Sequence, residues 1–270
     1  MTAKMFFEIF AIECRRLMSY RADFWVNALM NFVAGIMVPY FLWGAMYKMS
    51  DSTTIGGYSY EAMLVYICMV TLLGRVVRGT DQLSDVATDI YEGGLNRYLL
   101  YPAPYLPFKY AQHLGNLLPQ MIQLFVFVPL IAVVVGIPDD VTISAASIAA
   151  TVAAVFLANL LYYLLAFPLQ GVAFWADNVW SLGVMLRMAS RLLGGALVPL
   201  ALFPPAAQGV LAWLPFRALY DFPVNTLMGK LTFEEWCAGM ALSLGWCGAL
   251  MAIGALVWRR GQRVYTGVGI

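Results

Sequence analysis

The chain has 270 residues, of which 62% are hydrophobic and only 11% charged, against roughly 25% charged in a soluble domain. So much apolar surface cannot be hidden in a water-soluble fold of this length, and a formal net charge of +1 removes any bulk electrostatic case for nucleic acid. Apolar runs of about 20 residues match helices crossing a hydrocarbon core of about 30 Å, not the alternating strands of about 10 residues in a membrane barrel. The sequence predicts an all-α polytopic membrane protein with a single domain over residues 1–270.

Residues 3–22 read as an amphipathic helix in the membrane interface. Phe6, Phe10 and Leu17 share a face with Phe7 and Cys14 beside them, and Lys4, Glu8 and Arg15 lie opposite. Packing on the ends of other spans is an equal and compatible reading. Glu8 and Glu13 interrupt the first apolar patch, so no cleavable leader is expected. Span one runs over 24–47, with Asn27, Asn31 and Gly35 on one stripe that faces other helices. Span two runs over 60–78 and ends in Arg75 and Arg78.

A polar interval over 79–112 follows. It carries Asp85, Asp89, Glu92 and Arg97, a Gly93-Gly94 break, and Pro102, Pro104 and Pro107. Spans three and four run over 113–136 and 143–167, and span five over 179–202. Residues 203–233 are apolar, but Pro204, Pro205, Pro215 and Pro223 cut them into pieces too short to span, the pattern of outer re-entrant half-helices. Thr232 with Glu235 resembles a capping box that opens span six, 234–258.

Six spans put both termini on one side. That side collects Lys4, Arg15, Arg16, Arg21, Arg75, Arg78, Arg97, Lys109, Arg259, Arg260 and Arg263; the other collects Lys48, Arg217 and Lys230. The excess of Lys and Arg marks the first side as cytoplasmic, which places the polar interval in the cytoplasm.

No phosphate-binding loop, zinc motif or nucleophile elbow is present, so neither a catalytic residue nor a metal site nor a cofactor on this chain is expected. Cys14, Cys68, Cys237 and Cys247 lack ligand spacing. Two polar stripes inside spans are candidates for a translocation path. His113, Asn116, Gln120 and Gln123 fall on one face of span three, where interhelical hydrogen bonding is the competing reading. Arg187 and Arg191 fall on one face of span five, where they either meet an anionic head group of substrate or lipid or snorkel to the bilayer surface.

Two stretches then carry a family resemblance. IYEGGLNRYLLYPAP, Ile90 to Pro104, is similar to the G-x-L-x-x-Y-L-L-x-P element of the type-2 ABC transporter (ABC-2) permeases. GGALVPLALFP and LPFRALYDFPVNTLMGK, between Gly194 and Lys230, resemble that family's outer segment, and WRRGQRVY fits its C-terminus. The size is that of members without a fused ATPase.

The resemblance implies a bacterial inner-membrane permease that pairs with a second copy or a sister permease among membrane lipids. It also implies two separate ABC ATPase (nucleotide-binding) subunits that hold ATP and Mg, and export of an amphipathic or lipid-like substrate. The family's coupling helix corresponds to Asp85–Tyr98, which assigns contact with the ATPase to Asp85, Asp89, Ile90, Glu92, Gly93 and Arg97. The N-terminal helix would touch the same subunit. Two other classes compete. A membrane-embedded lipid-modifying enzyme would need a catalytic cluster, and an ion-coupled secondary transporter would show mid-span carboxylates and inverted repeats; the predicted spans carry neither.

Overall fold

The computed structural model describes residues 2–19, 21–50, 52–79, 85–136 and 138–266, without the side chains of Leu17, Arg21, Leu99, Asn116, Val134 and Val135. Among the described residues the regular structure is helical: α1 (Ala3–Ser19), α2 (Arg21–Met49), α3 (Tyr60–Arg78), α4 (Asp85–Tyr91), α5 (Leu95–Leu99), α6 (Tyr105–Val135), α7 (Ala145–Gly171), α8 (Trp180–Leu193), α9 (Pro205–Trp213), α10 (Asp221–Leu227) and α11 (Phe233–Val264). Five of these, α2, α3, α6, α7 and α11, are long and apolar enough to cross a membrane.

Local chemistry sets the boundaries. Ser59 caps α3 by accepting from the Ala62 amide, and Gly79, at φ +68°, ends it. Ser144 and Ser147 form a capping box on α7. The box expected at Thr232 and Glu235 is present: the Glu235 amide donates to Thr232 Oγ1 at 3.3 Å and the Thr232 amide to Glu235 Oε2 at 2.8 Å.

Expected boundaries move, and the last span runs on to Val264 rather than 258. The third span begins at Tyr105 rather than 113, because Pro104 is its N-cap and Pro107 lies in the first turn, where a missing amide costs no helical bond. The fourth continues past Pro168 to Gly171.

The segment read as span five departs further. Its helix, α8, has 14 residues and covers about 21 Å at 1.5 Å per residue, less than the hydrocarbon thickness. The chain then turns at Gly195, whose φ is +87°, and passes through Pro199 into a 3-10 turn over Leu200–Leu202. Next, α9 lies at the periphery with Trp213 exposed, whereas α10 is buried along its whole length.

The core forms around α3, of whose apolar window 72% is buried, against 6% for α2. Tyr66, Leu72, Leu73 and Val76 of α3 join Leu117 of α6, Leu161 and Leu164 of α7, and Leu219, Tyr220 and Val224 around α10. A second, smaller core fills one end of the molecule. Val86, Ala87 and Ile90 of α4, Leu95 and Tyr98 of α5, and Tyr105 of α6 pack there with Phe167, Phe174 and Val179, and Trp258 of α11 closes over them. The Trp258 ring stacks on Tyr105 with centroids 4.6 Å apart.

The contacts define two ends. At the basic end, the Val86 amide donates to Gln170 Oε1 (3.0 Å) and the Tyr91 hydroxyl to the Ala176 carbonyl (2.9 Å). At the far end, the loops before α3, before α7 and after α10 meet: Ser59 Oγ lies 3.1 Å from Asp140 Oδ1, Lys230 pairs with Asp140 at 3.6 Å, and the Thr142 amide donates to the Met228 carbonyl. Between Ala176 and Lys230 the chain therefore travels from one end to the other.

The N-terminal helix packs along the start of α6. Cys14 Sγ donates to the Gly115 carbonyl at 3.1 Å, and an added Cβ at Gly115 would lie 2.9 Å from the Phe10 carbonyl oxygen. Phe7 and Ile12 stay exposed on α1, so both readings of that helix retain a face.

Candidate functional site

The polar interval folds into two short helices. α4 stops where Gly93 takes φ +70°, a conformation that an L side chain resists. Gly94 lets the chain pass close over α4, since a Cβ there would lie 3.2 Å from Asp89 Oδ1.

Asp89 is the centre of this unit, 5% exposed. Arg97 Nη2 donates to Asp89 Oδ1 at 2.9 Å, the Tyr105 hydroxyl donates to Oδ2 at 2.8 Å, and Lys109 Nζ lies 2.6 Å from Oδ2. Lys109 also sits over the Tyr98 ring at 5.0 Å. One carboxylate on α4 thus holds α5 and the first turns of α6.

The six residues assigned to the coupling element separate by placement. Asp89 and Ile90 point inward, and Gly93 forms the break. Glu92 and Arg97 are exposed, and Asp85 is half-buried. Burial pushes the Asp85 carboxyl above the usual carboxylate range, while Lys109 pulls it back. Tyr98, with Asp89, holds the Arg97 guanidinium above its ordinary value.

The exposed face that carries Glu92, Asn96 and Arg97 continues into Leu100 and Tyr101, which are 85% and 47% exposed. Both belong to the IYEGGLNRYLLYPAP stretch that carries the family resemblance, and a Leu-Leu-Tyr run inside a polar loop is an unusual place for apolar side chains.

Three members of the polar stripe of α6 point into the interior of the chain. His113, Gln120 and Gln123 are buried. Gln123 Nε2 donates to the Phe24 carbonyl of α2 at 3.3 Å, and the His113 ring sits against Tyr110 and Tyr163. These contacts are those of an interhelical seam; the Asn116 side chain lies outside the described residues.

Arg187 and Arg191 also part. Arg187 is half-buried, whereas Arg191 is exposed and lines a cavity of about 630 Å³ between α2, α3 and α8. Asn31 and Gly35 of α2, Thr71, Gly74, Arg75 and Arg78 of α3, and Tyr220 complete most of its wall. Close approach builds it: Gly35 faces Thr71, whose Cγ2 would lie 2.7 Å from an added Cβ. The sequence counted Arg75 and Arg78 only as orientation charges. Their three-residue spacing, with Thr71 four before Arg75, was the signal that they share a face.

A second buried carboxylate sits near the far end. Asp221 opens α10 and is 5% exposed. Asn225 Nδ2 and the Tyr66 hydroxyl donate to its Oδ1 at 2.9 and 3.3 Å, and Arg217 Nε donates to Oδ2 at 3.2 Å. Tyr66 is also placed to donate to the Gly195 carbonyl at 2.9 Å, and the Asp221 amide donates to the Gly194 carbonyl at 3.0 Å. The network fixes α10 to α3 and to the turn after α8. The sequence reading assigned Asp221 no role because it lies outside the long apolar runs. Among the described residues no three His, Cys, Asp or Glu side chains come together as a metal site.

No curated protein sequence matches the chain. The family model described as "ABC-2 family transporter protein" does match, over residues 33–269. That stretch runs from within α2 past the end of α11 and takes in the Asp89 unit, most of the arginine-lined cavity and the Asp221 network. A helical chain with several membrane-crossing helices, matched over nearly its whole length, belongs to the ABC-2 family of membrane transport proteins.

Proposed function

We propose that this ABC-2 permease is the membrane half of an ATP-driven exporter, powered by a separate ABC ATPase seated on α4 and α5. The observation that carries the reading is the build of that unit. Inside, Asp89 joins it to Arg97, Tyr105 and Lys109; outside, it presents Glu92, Arg97, Leu100 and Tyr101. A charged rim beside apolar anchors is the composition of a protein interface. The rigid link through Lys109 would carry a push on α4 into α6, and the second core would pass it to α7 and α11.

In this reading the basic end is cytoplasmic, with both termini there, in a bacterial inner membrane. α8 and the turn that follows make a sixth crossing, because the chain leaves the basic end near Ala176 and reaches the far end by Lys230. α9 and α10 are the outer re-entrant pieces. Two permeases, identical or sister, enclose a path for an amphipathic or lipid-like substrate, and the cavity beside α2 opens toward it. ATP and Mg belong to the ATPase.

Co-purification tests this directly. The chain, expressed with its genomic neighbours and extracted in mild detergent, should retain an ATPase subunit; reproducible isolation without one sinks the reading. The paired variant Glu92→Lys/Leu100→Glu, at two exposed positions, should lose that subunit while inserting normally.

A further inference from the structure

We infer that the cavity between α2, α3 and α8 binds the anionic headgroup of an amphiphile, with Arg75, Arg78 and Arg191 as the charge-bearing residues. The inference rests on the transport reading above and names the substrate class.

Three guanidinium groups line one space, and among the described residues its lining contains no carboxylate. Among the described residues none of the three forms an ion pair; Arg75 reaches only the Asn27 carbonyl, at 3.4 Å. Guanidinium groups at membrane depth face water, pair with an anion or snorkel to the surface. Arg78 does not simply point away from the cavity. Its Nη2 folds back to 3.7 Å from the Cβ position of Gly74, a point that the Tyr220 ring approaches to 3.4 Å. The missing side chain at Gly74 thus leaves Arg78 and Tyr220 against the same volume.

That volume, about 630 Å³, falls within the range of roughly 300–1,000 Å³ typical of small-molecule sites. Asn31 and Thr71 add neutral hydrogen-bonding groups to the wall. Planar guanidinium forks match the oxygens of phosphate and carboxylate, and a cationic headgroup would be repelled. Met30, Val33 and Met37 of α2 are exposed beside Asn31, so an attached chain can remain in apolar surroundings while its head enters the cavity.

The test is isothermal titration of the purified full-length chain in an uncharged detergent. The probes are dihexanoyl phosphatidic acid, dihexanoyl phosphatidylcholine and inorganic phosphate. Phosphatidic acid should bind at least about tenfold more tightly than either of the others. Arg191→Gln should weaken it by about tenfold, the triple Arg75→Gln/Arg78→Gln/Arg191→Gln should abolish it, and Arg263→Gln, away from the cavity, should change nothing.

Equal affinity for phosphatidylcholine overturns the charge requirement. Equal affinity for inorganic phosphate overturns the amphiphile in favour of a soluble anion. An unaltered isotherm for Arg191→Gln overturns the site. Arg191 is exposed, so that variant decides the matter even if the triple substitution misfolds. The assay needs no ATPase, so its failure leaves the co-purification result standing, and failure of co-purification leaves this binding intact.

Discussion

Asp89 is the residue on which the α4–α5 unit depends, and its effect on stability follows from burial. Removing one partner of a buried ion pair leaves the other charged and desolvated, which costs about 3–5 kcal/mol. Asp89→Ala should therefore lower stability by about 3 kcal/mol, read as an early thermal transition in detergent. Lys109→Met should cost a similar amount, because it strips the 2.6 Å contact from the same carboxylate. The double variant Asp89→Asn/Lys109→Met should recover about 2 kcal/mol relative to the sum of its singles; strict additivity would show that the two groups do not act as a pair.

Asp85 behaves in the opposite sense. Burial raises its folded pKa above the ordinary 3.8, so the folded state holds the proton longer than the unfolded chain does. Below 3.8 both states are protonated and the group costs nothing. As pH rises through the window between that value and the raised one, stability falls. Asp85→Asn should remove that slope, matching wild type in melting temperature at low pH and exceeding it near neutrality. The sequence showed four charges in this loop but not that one of them is internal. Inwardness comes from Tyr105 and Lys109, which the sequence reading had placed before the third span.

At the scale of elements, the long uniform helices, the Gly93-Gly94 break and the short proline-cut pieces over 203–233 were legible, but the early end of the helix read as span five was not. α3 runs from Tyr60 to Arg78 as its apolar run and terminal arginines indicate. Residues 179–202 read as one span because Ala196, Leu197, Val198 and Leu200–Leu202 keep it apolar beyond α8. The helix nevertheless stops at Leu193, where Gly194, Gly195 and Pro199 form a turn whose carbonyls are taken by Tyr66 and the Asp221 amide.

Tertiary hydrogen bonds decide that break, and hydropathy does not report them. Gly195→Ala tests it. The φ of +87° strains any L residue, and the new Cβ would meet the Tyr66 hydroxyl at 2.7 Å. A loss of about 2 kcal/mol is expected, whereas an undisturbed melting curve would mean the turn adapts freely. The N-terminal helix is testable in the same way. Gly115→Val should lift α1 from α6 and make Cys14 react several-fold faster with a maleimide in a background lacking Cys237; unchanged labelling would mean that α1 keeps its seat.

At the scale of the whole molecule, the asymmetry of charge and the meeting of loops give one axis. The sequence assigns eleven of the 16 Lys and Arg residues to one side, and α1, α4, α5 and the last turns of α7 and α11 converge at one end of the molecule. The opposite loops are tied through Asp140, Lys230 and Ser59. Helices α2, α3, α6, α7 and α11 run the length between these ends, and α8 to α10 make the remaining passage with interrupted helix. On the six-crossing proposal, an odd number of crossings separates Asp177 from Glu234.

Single cysteines introduced into a variant without Cys14, Cys68, Cys237 and Cys247 read this out. Asp177→Cys should share its side with Glu92→Cys, blocked only by reagents that cross the membrane. Glu234→Cys should share its side with Thr53→Cys, blocked by an impermeant reagent added outside. If Asp177→Cys and Glu234→Cys respond from the same side, α8 to α10 do not carry the chain across. The proposed ATPase-facing and outer surfaces would then have to be assigned again, because a cytoplasmic α4–α5 unit and both termini share one side only if α8 to α10 make that passage.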